Sequence, residues 1–136
     1  MNSSVSVAKI AELLDLKNFT DEIDLKKRKI TTTDINRPAL QLTGYFEHFE
    51  ESRVEIIGNV EYAYIQQMSD EEKRIRYDAF LKFDIPCVIF SRNLTPDPIF
   101  LKEALANQVP VLGTGRSTSE FTAELIYTLG EQLAPC

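Results

Sequence analysis

Alternating strand and helix patterns predict an α/β protein: a three-layer domain in which a mainly parallel or mixed sheet lies between helices. Two continuous apolar runs, Pro86-Cys-Val-Ile-Phe90 and Val109-Pro-Val-Leu112, read as strands, and the first suits burial on both faces of a parallel sheet. Two Ser-x-x-Glu boxes, Ser69 to Glu72 and Ser117 to Glu120, open helices, because the Ser hydroxyl accepts from the backbone N–H three residues on. Repeated strand-helix-strand crossovers then cover both faces of the sheet.

In chain order, Val7, Ile10, Ala11 and Leu14 share one face of a helix expected over Val5 to Leu16. The β-branched run Arg28 to Thr33 reads as a short strand, closed by Asp34 and Asn36. Pro38 suits the first turn of a helix, where its missing N–H is not needed; Asn36 or Arg37 would cap it and Gly44 would end it. Arg53 to Ile57 is a strand ended by Gly58, and Asn59 is the expected cap of a helix reaching about Gln67. Beyond Ser69, the residues Ile75, Ala79, Phe80 and Phe83 are the expected apolar face of the next helix. Pro96 and Pro98 bracket the start of another, in which Leu101, Ala104 and Leu105 share a face. Phe121, Leu125, Leu129 and Leu133 form the seam of a last helix ending near Pro135. The 136 residues, 43% of them hydrophobic, suffice for one domain over 1–136 with its own core.

Composition narrows the function. A net charge of −6 argues against nucleic acid as a partner, since counterion release needs a clustered basic surface. The one basic cluster, Lys26-Lys27-Arg28-Lys29, reads as a solvated edge. No apolar run approaches the roughly 20 residues of a membrane span, and Met1-Asn-Ser-Ser lacks the basic and apolar regions of a signal peptide, so the expected compartment is cytoplasmic. Cys87 lies in an apolar run and Cys136 is terminal, which does not suit a disulfide framework.

The chain has no G-x-x-x-x-G-K-[ST] phosphate loop. Its nearest counterpart is Gly113-Thr-Gly-Arg-Ser117, a strand-to-helix turn in which Gly113, Gly115 and Ser117 meet backbone needs and Arg116 could face an anion. His48 is the only histidine and has no second nitrogen or thiolate at ligand spacing, so no metal site is expected. Burial in an apolar strand makes Cys87 a structural thiol rather than a nucleophile. The acid pairs Asp21-Glu22, Glu50-Glu51 and Asp70-Glu71-Glu72 read as solvated loop and cap residues. Arg37 and Arg53 stand at element junctions, where each could pair with Asp34 or Glu61 or contact a ligand. Tyr62, Tyr64 and Phe46 read as packing or interface aromatics.

One ordered pattern goes further. Asp34, Arg37 and Pro38, then Gly44-Tyr-Phe46, then Arg53, Gly58 and Glu61 follow the spacing Asp-x-x-Arg-Pro-Gly, Gly-Tyr/Phe-Phe and Arg-Ile-Gln-x-x-Gly-x-x-Glu. With Ile85 to Arg92 and Val109 to Leu112, the chain from about Val5 to Pro135 resembles the N-terminal domain of the bacterial HPr serine kinase/phosphorylases. Val54 and Glu55 are substitutions within the pattern; Ala39 stands where Gly is usual, and Asn93 replaces a Gly after Arg92. Asn tolerates positive φ, so Asn93 can keep a left-handed turn, whereas Ala39 is expected to be helical.

The resemblance implies a fold similar to the N-terminal domains of muramoyl-peptide ligases. It also implies a non-catalytic regulatory and oligomer-interaction domain of a bifunctional enzyme that phosphorylates and dephosphorylates a serine of HPr in carbon catabolite regulation by the sugar phosphotransferase system. The implied partners are a C-terminal kinase domain of the same polypeptide, further copies in a homo-oligomer, and HPr. ATP and Mg²⁺ are implied only for that C-terminal domain, and no cofactor is expected here. The competing expectation is a stand-alone sensor of a phosphosugar or nucleotide, with Arg37, Arg53, Arg92, Gly113, Gly115, Arg116 and Ser117 as the ligand or interface candidates.

Overall fold

The computed structural model describes residues 3–134; Cys136 and the expected helix end at Pro135 lie outside them. Four parallel strands, β4 (Ile35–Asn36), β5 (Val54–Ile57), β6 (Val88–Phe90) and β7 (Val111–Gly113), lie side by side in chain order. A two-residue strand, β2 (Lys17–Asn18), adds antiparallel to β7, so the five-stranded sheet is mixed. Its order is β2-β7-β6-β5-β4. β1 (Val5–Ser6) and β3 (Lys29–Ile30) form a separate antiparallel ribbon, pairing Val5 with Ile30.

Helices lie on both faces. On one, α2 (Ala39–Leu42), α3 (Asn59–Gln66), α4 (Asp70–Leu81) and α5 (Pro98–Ala106) enclose Leu42, Ile57, Ile65, Tyr77, Phe80, Phe90 and Phe100. On the other, α1 (Val7–Leu13) and α6 (Thr118–Leu133) cover Val54, Ile56, Cys87, Ile89 and Leu112. Phe121, Leu125 and Leu129 of α6 are fully buried, as their spacing predicts, each contributing roughly 1.5–3 kcal/mol of transfer free energy.

Caps fix the helix starts. Ser69 Oγ accepts from Glu72 N at 3.2 Å and Ser117 Oγ from Glu120 N at 3.3 Å. Asp97 caps α5 through Phe100 N at 2.8 Å, and its other oxygen accepts from the Tyr77 hydroxyl at 2.7 Å, tying α4 to α5. Gly44 ends α2 at φ +96, Asn93 adopts φ 58, and Ala39 is helical, all as expected.

Several expectations need correction. The first helix begins at Val7, because Ser6 is extended and caps it by accepting from Lys9 N; Val5 belongs to β1. It stops at Leu13, and Asp15 follows in the left-handed region at φ 53. The expected strand over Arg28 to Thr33 shrinks to Lys29–Ile30, since β1 offers only two residues to pair with. Asn36 is a strand residue on β4, and Pro38 is the cap of α2 rather than its first residue. Gly58, not Asn59, caps α3. On α4, Ile75 is 59% exposed and Tyr77 is buried instead, because the helix rotates to seat Tyr77 against Phe100 and Asp97.

Candidate functional site

Of the candidate residues, Arg37 and Arg92 meet at the carboxyl ends of β5 and β6. β5 ends at Gly58, and a Cβ there would stand 2.7 Å from Thr118 Oγ1 and 2.8 Å from Arg37 Nη2, so the missing side chain lets three segments meet. Arg37 arrives from the loop after β4, and its Nη2 and Nε donate to Glu61 Oε1 at 2.7 and 3.3 Å. The same oxygen accepts from Gly58 N at 2.7 Å. Glu61, 3% exposed, thereby closes the start of α3 and holds the Arg37 fork in place. Of the two carboxylates offered to Arg37 by the sequence, Glu61 is the partner.

Across the same edge, Ser91 Oγ lies 2.7 Å from Thr118 Oγ1 and 3.2 Å from the Ile57 carbonyl, which joins β5, β6 and the start of α6. Arg92 and Asn93 follow in left-handed backbone, their N–H groups donating to the Arg116 and Thr114 carbonyls at 2.9 Å. A cavity of about 650 Å³ opens between the first turns of α3 and α6, lined by Arg37, Asn59, Val60, Arg92, Thr118 and Ser119, with Ile126 one side farther along α6.

The other candidates lie elsewhere. Gly113 and Gly115 line a second cavity of about 250 Å³ beside Lys17, Phe19 and Asn93. Arg116 donates to the Leu14 carbonyl at 2.8 Å and pairs with Glu124 at 3.0 Å, ties that join α1 to α6. Ser117 is spent on the cap of α6. Arg53 stands at the opposite end of β5, its Nε 3.3 Å from the Glu50 carbonyl. Sequence reading missed Asn59, Val60, Thr118, Ser119 and Ile126. The available sign was that Gly58-Asn59 and Ser117-Thr-Ser119 are both strand-to-helix junctions.

Near Arg53 lies a group of different character. Glu55 is fully buried; Asn36 Nδ2 donates to its Oε1 at 2.7 Å, while Oε2 has no partner. Burial raises its pKa from an ordinary 4.5 to about 7, against opposing pulls from the Asn36 hydrogen bond and the Arg53 charge. Burial likewise pushes the Cys87 thiol up to about 12, despite the Arg28 charge, in keeping with a structural thiol. Burial, and then donation to Asp97, also raises the Tyr77 phenol. His48 is 90% exposed, a surface residue. Among the described residues no group of three or more His, Cys, Asp or Glu is arranged to hold a metal ion, and no helix is long and apolar enough to cross a membrane.

An open α/β sheet with a cavity at its strand carboxyl ends defines the class. Among solved structures, the fold is similar to the CBS and DRTGG domains of the regulatory region of Clostridium perfringens pyrophosphatase, solved with the activator diadenosine tetraphosphate. The TM-score is 0.57 at 16% identity, over 89% of this chain and 45% of that one, a likeness of fold. The family described as HPr Serine kinase N terminus matches residues 5–129, and the chain belongs to it. The chain is 42% identical over 132 residues to the HPr kinase/phosphorylase of Lachnoclostridium phytofermentans, covering 97% of this chain and 43% of that protein. It is 39% identical over 130 residues to that of Caldicellulosiruptor bescii, covering 96% and 42%. The chain thus spans less than half the length of these curated relatives.

Proposed function

We propose that the chain serves as the non-catalytic regulatory and interaction domain of an HPr kinase/phosphorylase, acting on phosphoryl transfer to and from HPr without carrying the reacting groups. The observation that carries this reading is the match to the family's N-terminal part over residues 5–129, with relatives more than twice as long. In such a protein the partners are a C-terminal kinase domain in the same polypeptide, HPr as substrate, and further copies in a homo-oligomer, all in the cytoplasm. ATP and Mg²⁺ would belong to that kinase domain. The residues here do not fit them: the sequence has no P-loop, and the described acids form no metal-binding group. No step of the reaction is therefore assigned to this chain.

Within the domain, Arg37–Glu61 ties the loop after β4 to α3, and Ser91–Thr118 ties the end of β6 to α6. The test is a domain swap in which this chain replaces the matching segment of the Lachnoclostridium relative. The hybrid is expected to phosphorylate HPr and to keep the parent's oligomeric mass. A folded hybrid that loses assembly and regulation together would refute the reading.

A further inference from the structure

We propose that the cavity between the first turns of α3 and α6 binds a small phosphorylated molecule, with Arg92 and Arg37 holding the phosphoryl group and Val60 and Ile126 contacting the remainder. Its volume, about 650 Å³, falls within the roughly 300–1,000 Å³ of small-molecule sites. Its charged lining is cationic. The chain carries 21 acids against 15 Lys and Arg, yet the lining has two arginines and no carboxylate.

The two arginines are differently prepared. Arg37 is oriented by Glu61, which engages Nε and Nη2 and leaves Nη1 without a hydrogen bond to any described residue. Because Glu61 also neutralises Arg37, the net positive charge comes from Arg92. The Arg92 side chain is exposed and has no hydrogen bond or ion pair to any described residue, while its backbone is fixed by the bond to the Arg116 carbonyl. It is a free guanidinium on a fixed base.

Donor number favours phosphoryl over carboxylate. Two guanidinium groups, the Ser119 hydroxyl and the Asn59 amide offer more donors than two carboxylate oxygens use, and three phosphoryl oxygens can accept them. The first turns of α3 and α6 add partial positive charge. Val60 and Ile126, 69% and 43% exposed, would stay uncovered beside a bare inorganic ion, so the ligand is an organic phosphate. The site stands apart from the enzyme reading: a binding failure leaves the domain swap unaffected, and the converse holds.

The test is a series of ¹⁵N–¹H spectra of the 136-residue chain titrated with phenyl phosphate, with inorganic phosphate and phenol as its two halves. Saturable shifts are expected at the amides of Asn59, Val60, Thr118 and Ser119, with phenyl phosphate binding more tightly than either half. Arg92→Ala should weaken binding about tenfold, the loss of one charge-assisted contact. Ser119→Glu places an acid in the first turn of α6, where it favours the helix, and should abolish binding while the remaining spectrum stays folded. The proposal is overturned by an absence of saturable shifts, by binding that survives both variants, or by shifts equally strong along the Lys26 to Lys29 run.

Discussion

The two ends of β5 treat a buried carboxylate in opposite ways. At the carboxyl end, Glu61 places one oxygen against three donors, two from Arg37 and one from Gly58 N. At the amino end, Glu55 has one donor, the Asn36 amide, and an oxygen with none. An aligned cation lets the first carboxylate fix the geometry of a cavity wall. The second meets Arg53 only as a nearby charge and is pushed toward its neutral form by burial. A buried acid is thus a structural tie or a proton site according to whether a guanidinium reaches it.

The largest expected effect breaks the Glu61 side. Glu61→Ala leaves the Gly58 N–H and the Arg37 fork without their acceptor, and urea denaturation should show a loss of about 3 kcal/mol. Glu55→Gln probes the other end through pH. The folded Glu55 holds its proton more tightly than the unfolded chain, so its contribution to stability is fully present below about pH 4.5 and is lost as pH rises through about 7. The Gln variant should match the parent at low pH and exceed it at pH 8 by about 3 kcal/mol, read from denaturation midpoints across that range.

Gly58→Ala sharpens the contrast by forcing Thr118 and Arg37 apart, at a cost of about 1–2 kcal/mol by thermal unfolding. Arg53→Ala should be smallest, below about 0.5 kcal/mol, since this side chain makes only one long bond to a loop carbonyl. It should nonetheless raise the Glu55 titration point, followed by carboxyl ¹³C shifts, because the Arg53 charge pulls that value down.

Much of this arrangement is legible in the sequence. The Ser69 and Ser117 caps, the buried seam of α6 and the Arg37–Glu61 alternative follow from local spacing, and the structure bears them out. Lys17–Asn18 was not legible, because a two-residue polar strand has no alternation and exists only by pairing with β7. Ile75 against Tyr77 depended on which way α4 rotates, and that is set by Asp97 from the next helix. Arg116 sits at an apparent anion turn but is engaged by Leu14, far back along the chain, and by Glu124, about two helical turns ahead. The cavity itself is a tertiary object, since α6 must cross the sheet before Thr118 can face Gly58.

The most direct measurement is phosphoryl transfer. The purified chain, mixed with labelled ATP, Mg²⁺ and HPr, should leave HPr unlabelled, while the domain-swapped hybrid under the same conditions labels it. Label on HPr from the chain alone would contradict the account.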